Sequence, residues 1–302
     1  TYKDYKIISM GPPSSGGVLL INMLNMLEEF SLDTMGWNSS DYVHLLTEVE
    51  RRAYADRAVH LGDPDFWEVP TTILTSKDYS KNRILDIDLN KATLSSNISA
   101  STLNQYESTE TTHYSVVDQW GNAVSVTTTI NLNYGNGHVV EGAGFFLNNE
   151  MDDFSSKPGI PNAFGLVGNE ANAIEPHKRP LSSMTPTIVL KENSPYIVIG
   201  SPGGSTIITT VMQSILNIIE HNMDIKEAVS APRFHSQWLP DEIQIEPYGI
   251  IKDVLENLKK RGHKVSYYRG GGYIGEANGI IIKENGYYGG GDTRGETSAV
   301  GY

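Results

Sequence analysis

The order of apolar and polar positions gives the chain a helical front and a strand-rich remainder. Tyr5-Lys6-Ile7-Ile8-Ser9-Met10 reads as a short strand. Pro12-Pro13 then forbids helix, and Ser14 or Ser15 can cap the buried helix expected from Val18 to Phe30. A second helix is predicted from Ser40 to His60, opened by Ser39-Ser40-Asp41 and closed at Gly62-Asp63-Pro64. Its apolar positions Val43, Leu46, Val49, Ala53 and Ala58 keep a period near 3.6. Residues 71–110 are polar and loop-like, with a short helix around Lys77 to Leu85. Ser95 to Glu110 is rich in Ser, Thr and Asn without an apolar period, the best linker candidate in the chain.

From Thr111 the period changes to two. Thr111 to Asp118 and Ala123 to Asn131 read as two strands joined by a tight turn at Gln119-Trp120-Gly121-Asn122, with Val116, Val124 and Val126 interleaved with hydroxyls. A glycine-rich loop (Tyr134 to Gly144), a strand-like Phe145-Phe146-Leu147 and a second loop (Ser155 to Glu175) follow. Thr187 to Leu190 and Tyr196 to Gly200 form a strand pair. Thr206 to His221, Asp224 to Ala231 and Ile251 to Gly262 are predicted helices, with a strand near Val265. Asn278 to Lys283 and Tyr287-Tyr288 flank a hairpin signal, Glu284-Asn285-Gly286. Helices on either side of a strand-rich middle predict an α/β sandwich, and no internal repeat is visible.

The 302 residues, 39% of them apolar, suffice for one large α/β core, and no segment approaches the ~20 apolar residues of a membrane span. Cysteine is absent, which excludes disulfides and thiolate metal sites. A net charge of −13 argues against nucleic acid and anionic membrane as partners, though a locally positive site can still take a small anion. Thr1 to Lys6 is polar and no signal peptide is visible, so the chain is expected to be a mature product or a fragment. The eight histidines (His44, His60, His113, His138, His177, His221, His235 and His263) never fall at His-x-x-x-His spacing, and no metal or other cofactor is expected.

Several short stretches are suited to chemistry. Thr111 is by composition an ordinary strand threonine. Cut the chain before it, however, and it gains an α-amine of pKa near ~8, a base travelling with the nucleophile. Thr129 and Asn131, two apart, share one strand face. Glu150 and Asp153 are close enough for an ammonium group, a cation or acid/base work, or are simply a solvated acidic turn. Ser182-Ser183 after Lys178-Arg179-Pro180 offers two hydroxyl donors to a carboxylate. Ser201-Pro202-Gly203-Gly204-Ser205 precedes an apolar helix, an anion site by geometry. A phosphate loop is the rival there, but the Gly-Lys-Ser/Thr of the Walker type is missing. A Ser-His-Asp hydrolase finds no Gly-x-Ser-x-Gly elbow.

Taken together, Thr111-Thr112-His113, Asn148-Asn149-Glu150-Met151-Asp152-Asp153, Arg179-Pro180-Leu181-Ser182-Ser183-Met184-Thr185-Pro186 and Gly200-Ser201-Pro202-Gly203-Gly204-Ser205 resemble the small subunit of the γ-glutamyltranspeptidases, N-terminal-nucleophile hydrolases. Residues 111–302 resemble that whole subunit, including Ala231-Pro232-Arg233-Phe234-His235 and Asp292-Thr293-Arg294. Residues 1–110 resemble the C-terminal part of the large subunit, helical and ending in a flexible linker, both parts forming one structural domain. The resemblance implies a four-layer αββα sandwich and self-cleavage before Thr111.

It further implies that Thr111 is the nucleophile, that Thr129 hydrogen-bonds it, and that Gly203 and Gly204 form the oxyanion hole. Asn131, Glu150 and Asp153 would bind the glutamyl group and its α-amine, Ser182 and Ser183 its α-carboxylate, with Asp152 structural. The partners implied are a γ-glutamyl substrate such as glutathione and an acceptor amine or water, in a periplasmic or secreted setting. Phe164 stands where many bacterial members have a lid tyrosine. The family's carboxylate-binding arginine has no match, since Arg51, Arg52 and Arg57 fall in the second predicted helix and Arg179 in another motif. Residues 1–302 alone are therefore expected to be a poor catalyst without the front of the large subunit. The rivals are a β-lactam side-chain acylase, a poly-γ-glutamate depolymerase and an inactive fragment.

Overall fold

In a computed structural model the described residues are 1–98, 111–155, 157, 159–160, 166 and 168–301. Residues 99–110 of the linker candidate, with Glu110, lie outside them, as does Phe164.

Strand β1 (Tyr5–Ser9) leads into α1 (Gly16–Leu27), then α2 (Leu32–Met35), α3 (Ser40–His60), α4 (Thr71–Leu74) and α5 (Lys77–Arg83). The hairpin β2 (Thr112–Val117) and β3 (Ala123–Thr128) follows, and then the pair β4 (Thr187–Lys191) and β5 (Ser194–Gly200). After α6 (Thr206–Ile219) and α7 (Ile225–Ser230) come β6 (Phe234–His235), β7 (Ile243–Ile245), α8 (Lys252–Lys260), β8 (Val265–Tyr267), β9 (Asn278–Lys283) and β10 (Gly286–Gly291). The main sheet is antiparallel in the order β1-β4-β5-β9-β10. Its edge strand β1 comes from the front of the chain, with Ile7 opposite Val189 of β4. Strands β6, β7 and β8 make a small separate sheet.

The α3 boundaries match expectation because Ser39 caps the helix, its side chain accepting from Tyr42 N–H. Helix α7 is opened by a capping box, Asp224 with Glu227. At α1 the expectation fails in detail. Ser15 occupies the cap position without capping, its hydroxyl donating instead to the Ser182 carbonyl at 2.8 Å. The loop-like stretch also holds α4, and Phe145 to Leu147 form no strand, only a single bridge from Phe146 to Val139.

Helix α1 packs against α3, α5 and α6, and the buried core runs from these helices to β4, β5 and β9. The hairpin covers the sheet, β2 against β9 and β3 against β5. Its alternation is inverted relative to that core. The hydroxyl-bearing face points inward: Ser125 Oγ donates to the Ile199 carbonyl at 3.0 Å and accepts from Thr187 N–H at 3.1 Å. His113 is buried so close to β5 that a Cβ on Gly200 would stand 2.3 Å from its ring. Tyr114, Val116 and Val124 point outward, each about half exposed. The described residues thus provide three stacked layers: helices, sheet and hairpin.

Candidate active site

Pairing of Thr112 with Thr128 closes the open end of the hairpin and brings the flanking threonines face to face. Thr111 Oγ1 donates to Thr129 Oγ1 at 3.3 Å, which also accepts the Asn131 N–H at 2.8 Å. Asn131 sits at φ +73°, a left-handed conformation that asparagine tolerates. Its Nδ2 donates to the Asn149 carbonyl at 3.0 Å, while its Oδ1 is buried without a partner among the described residues. That oxygen is a buried acceptor with room for one more hydrogen bond.

One pocket gathers Thr111, Thr129, Asn131, Asp153, Ser182, Ser183, Met184, Gly204 and Ile207. Of the residues singled out from the sequence, Gly203 adjoins Gly204 and Glu150 reaches the pocket through Asp153, the two carboxyls being hydrogen-bonded in one turn, Glu150–Asp153. Burial and the neighbouring Glu150 charge push Asp153 up to about 8, against the opposing pull of Arg57. Burial raises Glu150 as well. A carboxyl pair of this kind retains a proton at neutral pH and releases it when a cation arrives.

Both serines of the pair line the pocket. Ser182 Oγ accepts from Met184 N–H at 3.1 Å, and Ser183 Oγ accepts from Arg57 Nη2 at 3.2 Å. Each hydroxyl accepts one bond, and among the described residues neither donates one, so each O–H can serve an anion in the pocket. The sequence assigns Arg57 only to a helix; in the fold it lies beneath the serines and touches the site.

Gly203 and Gly204 turn the chain into α6 at φ +138° and +54°. The Gly203 carbonyl accepts from Thr206 N–H (3.1 Å) and Thr206 Oγ1 (2.8 Å), and the Gly204 carbonyl from Ile207 N–H (3.2 Å). Among the described residues neither glycine N–H has a hydrogen-bond partner, and both stand at the N-terminus of the helix, where negative charge is favoured. A Cβ on Gly203 would stand 2.5 Å from Thr206 Oγ1, so glycine is required.

Two motifs prove to be scaffolding. Arg233 and Arg294 share Asp292 at 2.8 Å each, and Arg294 also grips Glu246, fastening the chain end to β7. His44 and His263, far apart in sequence, meet at 2.6 Å, with Glu48 close by. These three are the described residues best grouped for a metal ion. Yet Glu48 already pairs with Arg51 and Arg52 and accepts Thr93 N–H. An ion would have to break the histidine pair and sit beside two buried guanidinium groups.

A family model described as Gamma-glutamyltranspeptidase matches residues 1–302. The glutathione hydrolase proenzyme of Escherichia coli K12 is 50% identical over 294 residues, 97% of this chain and 50% of that protein. The chain thus spans about half the length of the curated relatives it matches. A crystal structure of a mutant Helicobacter pylori γ-glutamyltranspeptidase is 60% identical at TM-score 0.59, covering 61% of this chain and all of that one. A Bacillus halodurans cephalosporin acylase superposes at TM-score 0.80 and 25% identity over 97% of this chain and 50% of that chain. By the match along its whole length and its identity to these relatives, the chain belongs to the γ-glutamyltranspeptidase family, with the α/β sandwich fold of the N-terminal-nucleophile hydrolases.

Proposed function

We propose that this chain carries the catalytic centre of a γ-glutamyl transferase/hydrolase acting on glutathione and related γ-glutamyl amides. The observation that carries the reading is a single pocket lined by Thr111, by the Asp153 carboxyl that burial and Glu150 push up, and by the Ser182 and Ser183 hydroxyls. That set matches a glutamyl head group: the ammonium to Asp153 and Glu150, the carboxylate to Ser182 and Ser183, the γ-carbonyl toward Thr111. An acylase of a β-lactam side chain has less use for both charged subsites.

In the proposed mechanism, cleavage before Thr111 frees its α-amine, which takes the hydroxyl proton as Oγ1 attacks the γ-carbonyl carbon. Thr129 orients Oγ1, and the Gly203 and Gly204 N–H groups hold the oxyanion. Collapse expels the leaving amine, which receives the proton, and leaves a γ-glutamyl ester on Thr111. Water or an acceptor amine then attacks the ester, giving glutamate or a new γ-glutamyl amide and restoring the hydroxyl. We place the protein outside the cytoplasm on the family resemblance, a reading that cell fractionation tests.

The deciding experiment is mass spectrometry of the protein purified as its gene encodes it and of Thr111→Ala in the same background. The parent should break between Glu110 and Thr111 and turn over γ-glutamyl-p-nitroanilide; Thr111→Ala should stay whole and inactive. Processing of the alanine variant as efficient as the parent's would refute the assignment of Thr111.

A further inference from the structure

Arg57, in the last turn of α3, is buried to 3% exposure. The other arginines that the fold buries each have a carboxylate: Arg51 and Arg52 share Glu48, Arg233 has Asp292 and Arg294 has Glu246. Arg57 makes no ion pair among the described residues. Its Nε donates to Ser15 Oγ at 3.0 Å and its Nη2 to Ser183 Oγ at 3.2 Å. Ser15 passes the connection on, its hydroxyl donating to the Ser182 carbonyl at 2.8 Å. One guanidinium therefore braces both serines from below, and Asp153 is the carboxyl of the site that acts on it when ionised.

A buried cation without a counter-ion is costly, and the cost falls when an anion arrives beside it. Hydrogen bonds also polarise one another, so a serine that accepts from a guanidinium becomes the stronger donor on its other side. We propose that Arg57 is the positioning residue of the carboxylate subsite, its charge and its grip on Ser15 and Ser183 setting selectivity for substrates that carry an α-carboxylate. The inference rests on the γ-glutamyl reading above and adds the residue that enforces it. Arg57 acts through the serines and does not touch the reacting atoms.

The test uses the protein as its gene encodes it, comparing the parent with Arg57→Gln and Arg57→Lys on three anilides. γ-Glutamyl-p-nitroanilide has both charged groups, 4-aminobutyryl-p-nitroanilide lacks the carboxylate, and glutaryl-p-nitroanilide lacks the amine. In Arg57→Gln the preference for γ-glutamyl over 4-aminobutyryl should fall about 10- to 100-fold, mainly through KM. Preference over glutaryl should persist, and Arg57→Lys should recover part of the loss by restoring charge without the fork. Equal loss on the γ-glutamyl and 4-aminobutyryl substrates, or carboxylate selectivity like the parent's, would overturn the proposal. If Arg57→Gln does not fold, Ser15→Ala decides the matter, because it unfastens Nε and should lower the same ratio; an unchanged ratio counts against Arg57. A parent that fails to prefer γ-glutamyl over both analogues sinks the underlying reading instead.

Discussion

Asp153→Asn separates the binding role of the acidic pair from any role in holding the fold. The Asp153 carboxyl is pushed up to about 8 by burial and by Glu150, with Arg57 pulling the other way and Asp152 adding to the rise. At pH 7 the group therefore retains its proton most of the time, and an ammonium must displace it. The KM for γ-glutamyl-p-nitroanilide should fall by up to about tenfold per pH unit as pH rises from 6 toward 8. Asparagine cannot ionise, so that limb should flatten. At pH 8 the variant should also lose a charge-assisted hydrogen bond of about 1.5–3 kcal/mol, or roughly 10- to 100-fold in KM. Processing before Thr111 should continue, since the aspartate touches neither the Thr111 hydroxyl nor the glycine turn.

Stability should move in the opposite direction. Because the folded pKa lies above the unfolded one, the native state holds a proton that the unfolded chain has released between about pH 4 and pH 8. Native stability consequently declines as pH rises through that window, by an amount on the order of a few kcal/mol. The asparagine variant escapes this decline, so it should melt above the parent at pH 8 and alongside it near pH 4. The assays are initial rates from pH 6 to 8 and calorimetric Tm at both ends. A KM profile still falling in the variant, or a lower Tm at pH 8, would refute the reasoning.

Gly203→Ala should lower kcat by about 10²–10³ with little change in KM, because the added Cβ meets Thr206 Oγ1 and turns the proposed oxyanion donor aside; steady-state kinetics on the processed enzyme checks this. Gly200→Ala should destabilise by about 1–3 kcal/mol, since its Cβ would collide with the His113 ring and lift the hairpin from β5; urea unfolding reads it, and a midpoint unchanged from the parent would be the contrary result.

The elements legible in the sequence are those whose ends are chemically marked. Helix α3 has its serine cap, α7 its capping box, and β9–β10 the glycine at φ +144° that opens the second strand. Helix α4 escapes because four residues after Pro70 carry no period, and β6 and β7 because two- or three-residue strands leave no alternation, whereas β8 falls at the strand expected near Val265. The hairpin was legible as strands but not as to which face would be inward. Alternation normally sends the apolar set to the core, whereas here His113, Ser115, Ser125 and Thr127 lie toward the sheet, satisfied by one another and by β4 and β5. Tyr114, Val116 and Val124 are left outward, each about half exposed.

The site was legible where neighbours in sequence are neighbours in space, and hidden where α3 contributes. That helix is buried from Tyr42 to Ala58 without interruption, so its apolar stripe marks one packing face without marking the opposite, polar face as buried or working. Its polar residues look alike in sequence and differ only in their partners. Glu48 holds Arg51 and Arg52, Glu50 accepts Ser236 N–H, and Asp56 holds Arg83. Tyr54 and Arg57, three apart and hence on one face, are the pair that reaches the site. Tyr54 Oη donates to the Ser205 carbonyl beside the glycine turn, and Arg57 to Ser183. A break before Thr111 would therefore not release the front segment from the catalytic one. The β1–β4 ladder, the α1–α6 contact and these two hydrogen bonds all cross it, and the newly exposed amine would appear in a site whose walls are already fixed.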